Sequence, residues 1–163
     1  MGNRSLPERS LAIVRSMNGL TSNEIEAANR AEATALLIRA GYRVYRPEAD
    51  CYGEDLIVRT PSGDLRAVQL KSRPVVNWNK YGKGRSIWML FPVSNGAPAF
   101  GRKWFLVPHD EFYEWVKARH GHTPGWSEAW SYPSVSKELG EFLAEFAVIM
   151  KPPAVAETAT EGP

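Results

Sequence analysis

Apolar and polar positions alternate along this chain with two different periods. Between Ser22 and Ala40 the sequence is rich in Ala and Leu, and Ile25, Ala28, Ala35 and Leu36 recur at helical spacing. Thr21 followed by Glu24 is a capping-box pattern. Together with Gly41 as a stop, it predicts a helix over 22–40 with those four residues facing the core. Short apolar runs follow and predict strands at Tyr42–Arg46, Asp55–Arg59, Leu65–Ser72, Ile87–Phe91 and Trp104–Val107. The turn Pro61-Ser62-Gly63-Asp64 joins the second and third strands into a hairpin. The unbroken apolarity of Ile87–Phe91 predicts a strand covered on both faces. Asn77–Gly84 is polar and glycine-containing, which predicts a loop. Asp110 is placed to cap a helix over 111–120, striped by Phe112, Trp115 and Val116. A long loop over 121–134 and a last helix over 136–146 complete the domain. The expected organisation is an N-terminal extension over 1–20 with a short amphipathic helix from Leu6 to Met17, a single domain over 21–150, and a disordered tail from Lys151.

Composition narrows the class. The 163 residues match one domain, with 44% hydrophobic and 23% charged residues. A single Cys excludes a disulfide framework and a cysteine-rich zinc site. No apolar run nears the ~20 residues of a membrane span, and Met1–Glu8 lacks the apolar stretch of a signal peptide. The expectation is a cytoplasmic protein.

Net charge is +2, and its distribution matters more than its size. From Leu65 to His109 there are eight basic residues (Arg66, Lys71, Arg73, Lys80, Lys83, Arg85, Arg102 and Lys103) and no acidic one. The rest of the chain sums to −6. An acid-free segment of this length is the footprint of a polyanion partner. Trp78, Tyr81 and Trp88 lie within it and could stack on bases.

That segment meets the candidate chemistry. Asp55 opens the second strand after a polar loop. Gln69 and Lys71 share a face of the third strand. The hairpin turn lies about midway between Asp55 and Gln69, so the two can converge at one end of the sheet, with Lys71 beside them. A carboxylate and a carbonyl oxygen are hard ligands suited to Mg²⁺ or Mn²⁺. A neighbouring ammonium can orient water or stabilise charge on phosphorus. The plainer alternative is a surface Asp near a strand-edge Lys.

The runs Ala31–Pro47, Gly53–Val58 and Arg66-Ala67-Val68-Gln69-Leu70-Lys71-Ser72 resemble the PD-(D/E)XK nuclease superfamily, in particular its small Holliday-junction-resolvase-like members. The likeness covers roughly residues 22–92. It implies an α/β, restriction-endonuclease-like core with a central mixed sheet flanked by helices. It implies a Mg²⁺- or Mn²⁺-dependent endonuclease acting on DNA. Asp55 would be the metal ligand, Gln69 a ligand or a support for one, and Lys71 the catalytic lysine. Arg73, Lys80, Tyr81, Lys83 and Arg85 would contact nucleic acid, and a homodimer is left open.

Two departures follow. Gln69 stands where Glu is usual and brings no charge. The acid expected on the helix is replaced by Arg30, which leaves Glu32 and Glu26 as alternatives. Glu32 is preferred, because an acid on a core-facing stripe is costly to bury without a role. The alternative function is a catalytically degenerate nucleic-acid-binding or protein-interaction module on the same fold, with the Trp126–Tyr132 loop as an aromatic anchor or simply a cover for the core. Other candidates carry less. His109 reads as a residue leading into a helix, His120 and His122 lack a third zinc ligand, and Cys51 lacks a His partner.

Overall fold

The computed structural model describes residues 19–49, 53–94 and 101–152. The expected Leu6–Met17 helix, Cys51 and the tail beyond Pro152 lie outside them.

Helix α1 spans Ser22–Arg39. Its capping box forms as the sequence expects: the Thr21 hydroxyl accepts the Glu24 N–H, and the Glu24 carboxylate accepts the Thr21 N–H at 2.7 Å. Gly41, at φ +90°, reverses the chain, and the Tyr42 N–H bonds back to the Leu37 carbonyl. The strands are β1 (Arg43–Tyr45), β2 (Leu56–Arg59), β3 (Leu65–Leu70), β5 (Ile87–Pro92) and β6 (Trp104–Pro108). They form one mixed sheet in the order β1-β2-β3-β5-β6, in which β3 and β5 are parallel and the other neighbours antiparallel. Interior strand β5 is almost wholly buried, as its apolarity requires. Beyond β6, Ala147 pairs with Phe105 and the Val148 N–H bonds to the Trp104 carbonyl, so the C-terminal segment runs along that edge. Lys151, expected to begin the tail, donates its N–H to the Arg39 carbonyl.

Each sheet face covers its own core. On one face α1 sends Ala33 and Leu37 against Leu56, Val58, Val68, Leu90 and Leu106. On the other, α3 (His109–His120) and α4 (Lys137–Leu143, continued by a 3₁₀ turn over Ala144–Phe146) pack Phe112, Val116, Leu139 and Leu143 against Met89, Phe91 and Val107. No helix of the described residues is long and apolar enough to cross a membrane.

Several expectations need correction. The buried stripe of α1 is Asn29, Ala33 and Leu37, while Ala35 is exposed. Many small alanines make the stripe ambiguous by one position, and contacts with distant residues decide it. Asp110 does not cap α3. It lies within the first turn and bonds the His109 Nδ1 at 3.0 Å. The expected 77–84 loop holds the end of β4 (Val75–Asn77) and a single helical turn, α2 (Trp78–Tyr81). The expected 121–134 loop holds β7 (Ala129–Ser131), which pairs with β4. Elements of three or four residues are too short to show a period. Trp126, Trp130 and Tyr132 are partly buried against the core.

Candidate active site

The hairpin β2–β3 brings Asp55 and Gln69 together. Leu56 pairs with Val68, so Asp55, one residue before β2, reaches the C-terminal end of β3. Its own N–H donates to the Val68 carbonyl at 2.8 Å. Its carboxylate oxygen Oδ2 accepts the Leu70 backbone N–H at 2.8 Å and the Gln69 side-chain N–H. The Gln69 amide also donates to the Leu70 carbonyl at 3.1 Å. Lys71 follows, its backbone N–H bonded to the Leu90 carbonyl of β5. The carboxylate is thus held by two donors of β3, one from the backbone and one from a side chain.

A cleft of about 460 Å³ opens here. The sheet end supplies Asp55, Gln69, Leu70, Lys71 and Ser72, and the first turns of α1 supply Ser22, Ile25, Glu26, Asn29 and Arg30. Of the predicted residues, Asp55, Gln69, Lys71 and Glu26 line it together.

Glu32 does not line it, and its preference over Glu26 is corrected. Its carboxylate takes both Nε and Nη2 of Arg102, each at 2.9 Å, and the Trp104 indole N–H at 2.8 Å. The Arg102 side chain is 6% exposed and also reaches the Asn29 side-chain oxygen at 2.6 Å. The partner of this acid is therefore a cation 70 residues away, which ties α1 to the start of β6. Glu26 is mostly exposed and pairs with Arg30, one turn on, at 2.7 Å. The Arg30 Nε is buried and has no hydrogen-bond partner among the described residues. The cleft thus mixes two acids with two cations.

Oxygen donors for a divalent cation here are the Asp55 carboxylate, the Leu70 carbonyl and the Gln69 amide oxygen. Among the described residues no group of three or more His, Cys, Asp or Glu side chains could hold a metal. One carboxylate with neutral oxygens still fits Mg²⁺, which commonly keeps several waters and takes only one or two protein carboxylates. The fit requires the Gln69 amide to turn. As it stands, the N–H faces Asp55, and presenting its oxygen to a cation gives up the bonds to Asp55 and to Leu70.

Part of the basic segment is exposed to solvent. Arg73, Lys80, Lys83 and Arg85 are exposed. Arg85 donates to the Lys80 carbonyl across the turn after α2, where Lys83 and Ser86 adopt left-handed φ values of 64° and 56°. Arg73 lies on a second, shallower groove along the β4–β7 ribbon, with Val75 and Trp130.

The expectation of stacking by Tyr81 is corrected. It is 7% exposed and edges onto the buried His109 ring at 5.7 Å. Trp78 stacks on Tyr113 at 4.8 Å, and Arg66 covers Trp88 at 3.8 Å. Contacts within the fold occupy all three rings: His109 on Tyr81, Tyr113 on Trp78 and the Arg66 guanidinium on Trp88. His109 is fully buried, and its Nε2 accepts the Asn77 N–H at 3.0 Å. Burial holds its pKa below the ordinary value, against the opposing pull of Asp110.

Sequence reasoning missed Asn29 and the Leu70 carbonyl as parts of the cleft. A backbone carbonyl carries no signal in residue type. Asn29, three residues before Glu32, reveals its role only through Arg102.

Comparison of the chain with family models, with curated proteins and with solved structures found no match.

Proposed function

We propose that the protein is a metal-dependent nuclease that hydrolyses phosphodiester bonds in DNA, with the restriction-endonuclease-like arrangement the sequence resembles. The observation that carries this reading is the convergence of Asp55, Gln69 and Lys71 on one cleft, Gln69 and Lys71 being part of the acid-free basic segment. Asp55, Gln69 and the Leu70 carbonyl would hold the ion, and Glu26 is the acid of α1 within the same cleft. Mg²⁺ or Mn²⁺, when bound, supplies neutralisation of phosphate charge and a more acidic attacking water. The Lys71 ammonium stabilises negative charge that builds on the phosphate oxygens. Water adds to phosphorus, the ester P–O bond breaks, and the products are a phosphate monoester and a free hydroxyl. Exposed Lys80, Lys83 and Arg85, clustered at and after the α2 turn, grip the phosphate backbone.

A specific observation favours a second reading. Gln69 spends its N–H on Asp55, and the cleft has one unambiguous carboxylate ligand. A chain with this site could bind nucleic acid without cutting it. Incubation with linear, branched and single-stranded DNA and with RNA, in Mg²⁺, Mn²⁺ or EDTA, separates the two. Cleavage only with metal supports the nuclease. Binding that persists in EDTA without cleavage in either metal supports the module.

A further inference from the structure

We propose that Tyr81 is a positioning residue that holds the Lys71 ammonium in the cleft. The inference deepens the nuclease reading and rests on it for its catalytic consequence.

Tyr81 is buried and is not among the residues that line the cleft. Its ring centroid is 5.4 Å from the Lys71 Nζ, within the ~6 Å range in which an aromatic face attracts a cation. The same ring presses against the loop that bears Asp55. A Cβ built on Gly53 would lie 3.1 Å from the Tyr81 Cε1 and 3.3 Å from the Gln69 Oε1. Gly53 takes φ +90°, which other residues adopt only with strain. One ring therefore abuts the approach to Asp55 and the Lys71 ammonium, beside the Gln69 amide.

The ring is itself fixed from behind. Tyr81 ends the single turn α2, whose first N–H groups are capped by the Asn77 side chain, which accepts from the Lys80 N–H at 3.0 Å. The Asn77 N–H is held by the His109 Nε2, and the His109 ring meets Tyr81 edge-on. His109 is fully buried, so this support cannot drift into solvent. A lysine has four flexible carbons and a strongly hydrated head. Without a wall on one side, its ammonium would spread over many rotamers, and a charge displaced by about 1 Å stabilises the transition state much less.

Lys71 can be observed directly. Reductive ¹³C-dimethylation labels lysine amines and keeps their charge, and Lys71→Arg identifies the Lys71 resonance. In the wild-type protein that resonance is expected to be displaced by the Tyr81 ring current from the position of the exposed lysines. It should stay displaced in Tyr81→Phe, which keeps the ring, and return to the common position in Tyr81→Leu. Cleavage should follow. Tyr81→Phe should keep kcat within about 3-fold, and Tyr81→Leu should lose 10-fold or more in kcat with KM and the Mn²⁺ midpoint little changed. A wild-type Lys71 resonance among those of the exposed lysines overturns the proposal whether or not Tyr81→Leu folds. So does full kcat in a folded Tyr81→Leu. If the wild type cleaves no nucleic acid, the nuclease reading fails, and the resonance still decides where Lys71 is held.

Discussion

The side-chain amide of Gln69 donates its N–H to the carboxylate of Asp55, and the same carboxylate oxygen accepts the Leu70 backbone N–H. This satisfies Asp55 without a cation and sets how the pair responds to substitution. Gln69→Glu replaces a donor with a second carboxylate against the first. Like charges at that distance disfavour the metal-free fold by about 1–3 kcal/mol. A bound divalent cation relieves the repulsion. The expected outcome is a lower melting temperature than wild type in EDTA and a larger rise than wild type on adding Mn²⁺. Equal Mn²⁺ responses would argue against a cation site at this pair.

Glu26 and Glu32 should separate cleanly. Glu32→Gln loses a two-point contact to the nearly buried Arg102, and should destabilise by about 2–3 kcal/mol, the scale of hydrogen bonds to charged groups. Glu26→Gln breaks only an exposed pair one turn apart, worth about 0.3–0.5 kcal/mol. It should instead raise the Mn²⁺ concentration needed for cleavage. Denaturant titration and a metal titration of the rate check both. A Glu32→Gln variant as stable as wild type, or Glu26→Gln with wild-type metal dependence, would contradict these roles.

Acid should loosen the support behind the cleft. Burial lowers the His109 pKa in the folded chain from its ordinary value near 6.5. The unfolded chain then binds the proton first as pH falls. The contribution of His109 is whole above about 6.5 and shrinks as pH drops toward its lower folded value, by at most about 1.4 kcal/mol per pH unit. His109→Gln keeps an acceptor for the Asn77 N–H and does not titrate. Denaturant midpoints at pH 7.5 and 5.5 should differ less for the variant than for wild type, and identical differences would rule His109 out as the cause.

The exposed cations should act on affinity rather than on chemistry. Replacing Lys80, Lys83 and Arg85 together by Gln should reduce the slope of log affinity against log salt by about 2–3 for duplex DNA, near 0.9 per lost phosphate contact. Fluorescence anisotropy at several salt concentrations measures it. An unchanged slope would place the nucleic acid elsewhere.

What the sequence made legible follows from how local each signal is. The Thr21–Glu24 capping box and the β2–β3 hairpin are written within a few residues, and both form. The meeting of Asp55 with Gln69 follows from a hairpin register, which turn position fixes. The role of Glu32 is not local, because its partner, Arg102, is 70 residues away and no short pattern points to it. The burial of Tyr81 is not legible locally either, because it depends on α2, a four-residue turn within the connection between the parallel strands β3 and β5. A basic stretch with aromatics reads as a binding surface until packing shows that the ring faces inward against His109.

The rate of plasmid or oligonucleotide cleavage across a Mn²⁺ titration, for wild type, Asp55→Ala and Lys71→Ala side by side, decides whether the Asp55–Gln69–Lys71 cleft is a metal-dependent nuclease site. Wild type should cleave only when Mn²⁺ or Mg²⁺ is present. Asp55→Ala should lose cleavage at every Mn²⁺ concentration reached, and Lys71→Ala should fall at least 100-fold in kcat, the scale of removing one charge-stabilising group. Cleavage that is the same in all three proteins, or absent from wild type in both Mg²⁺ and Mn²⁺, would contradict that role.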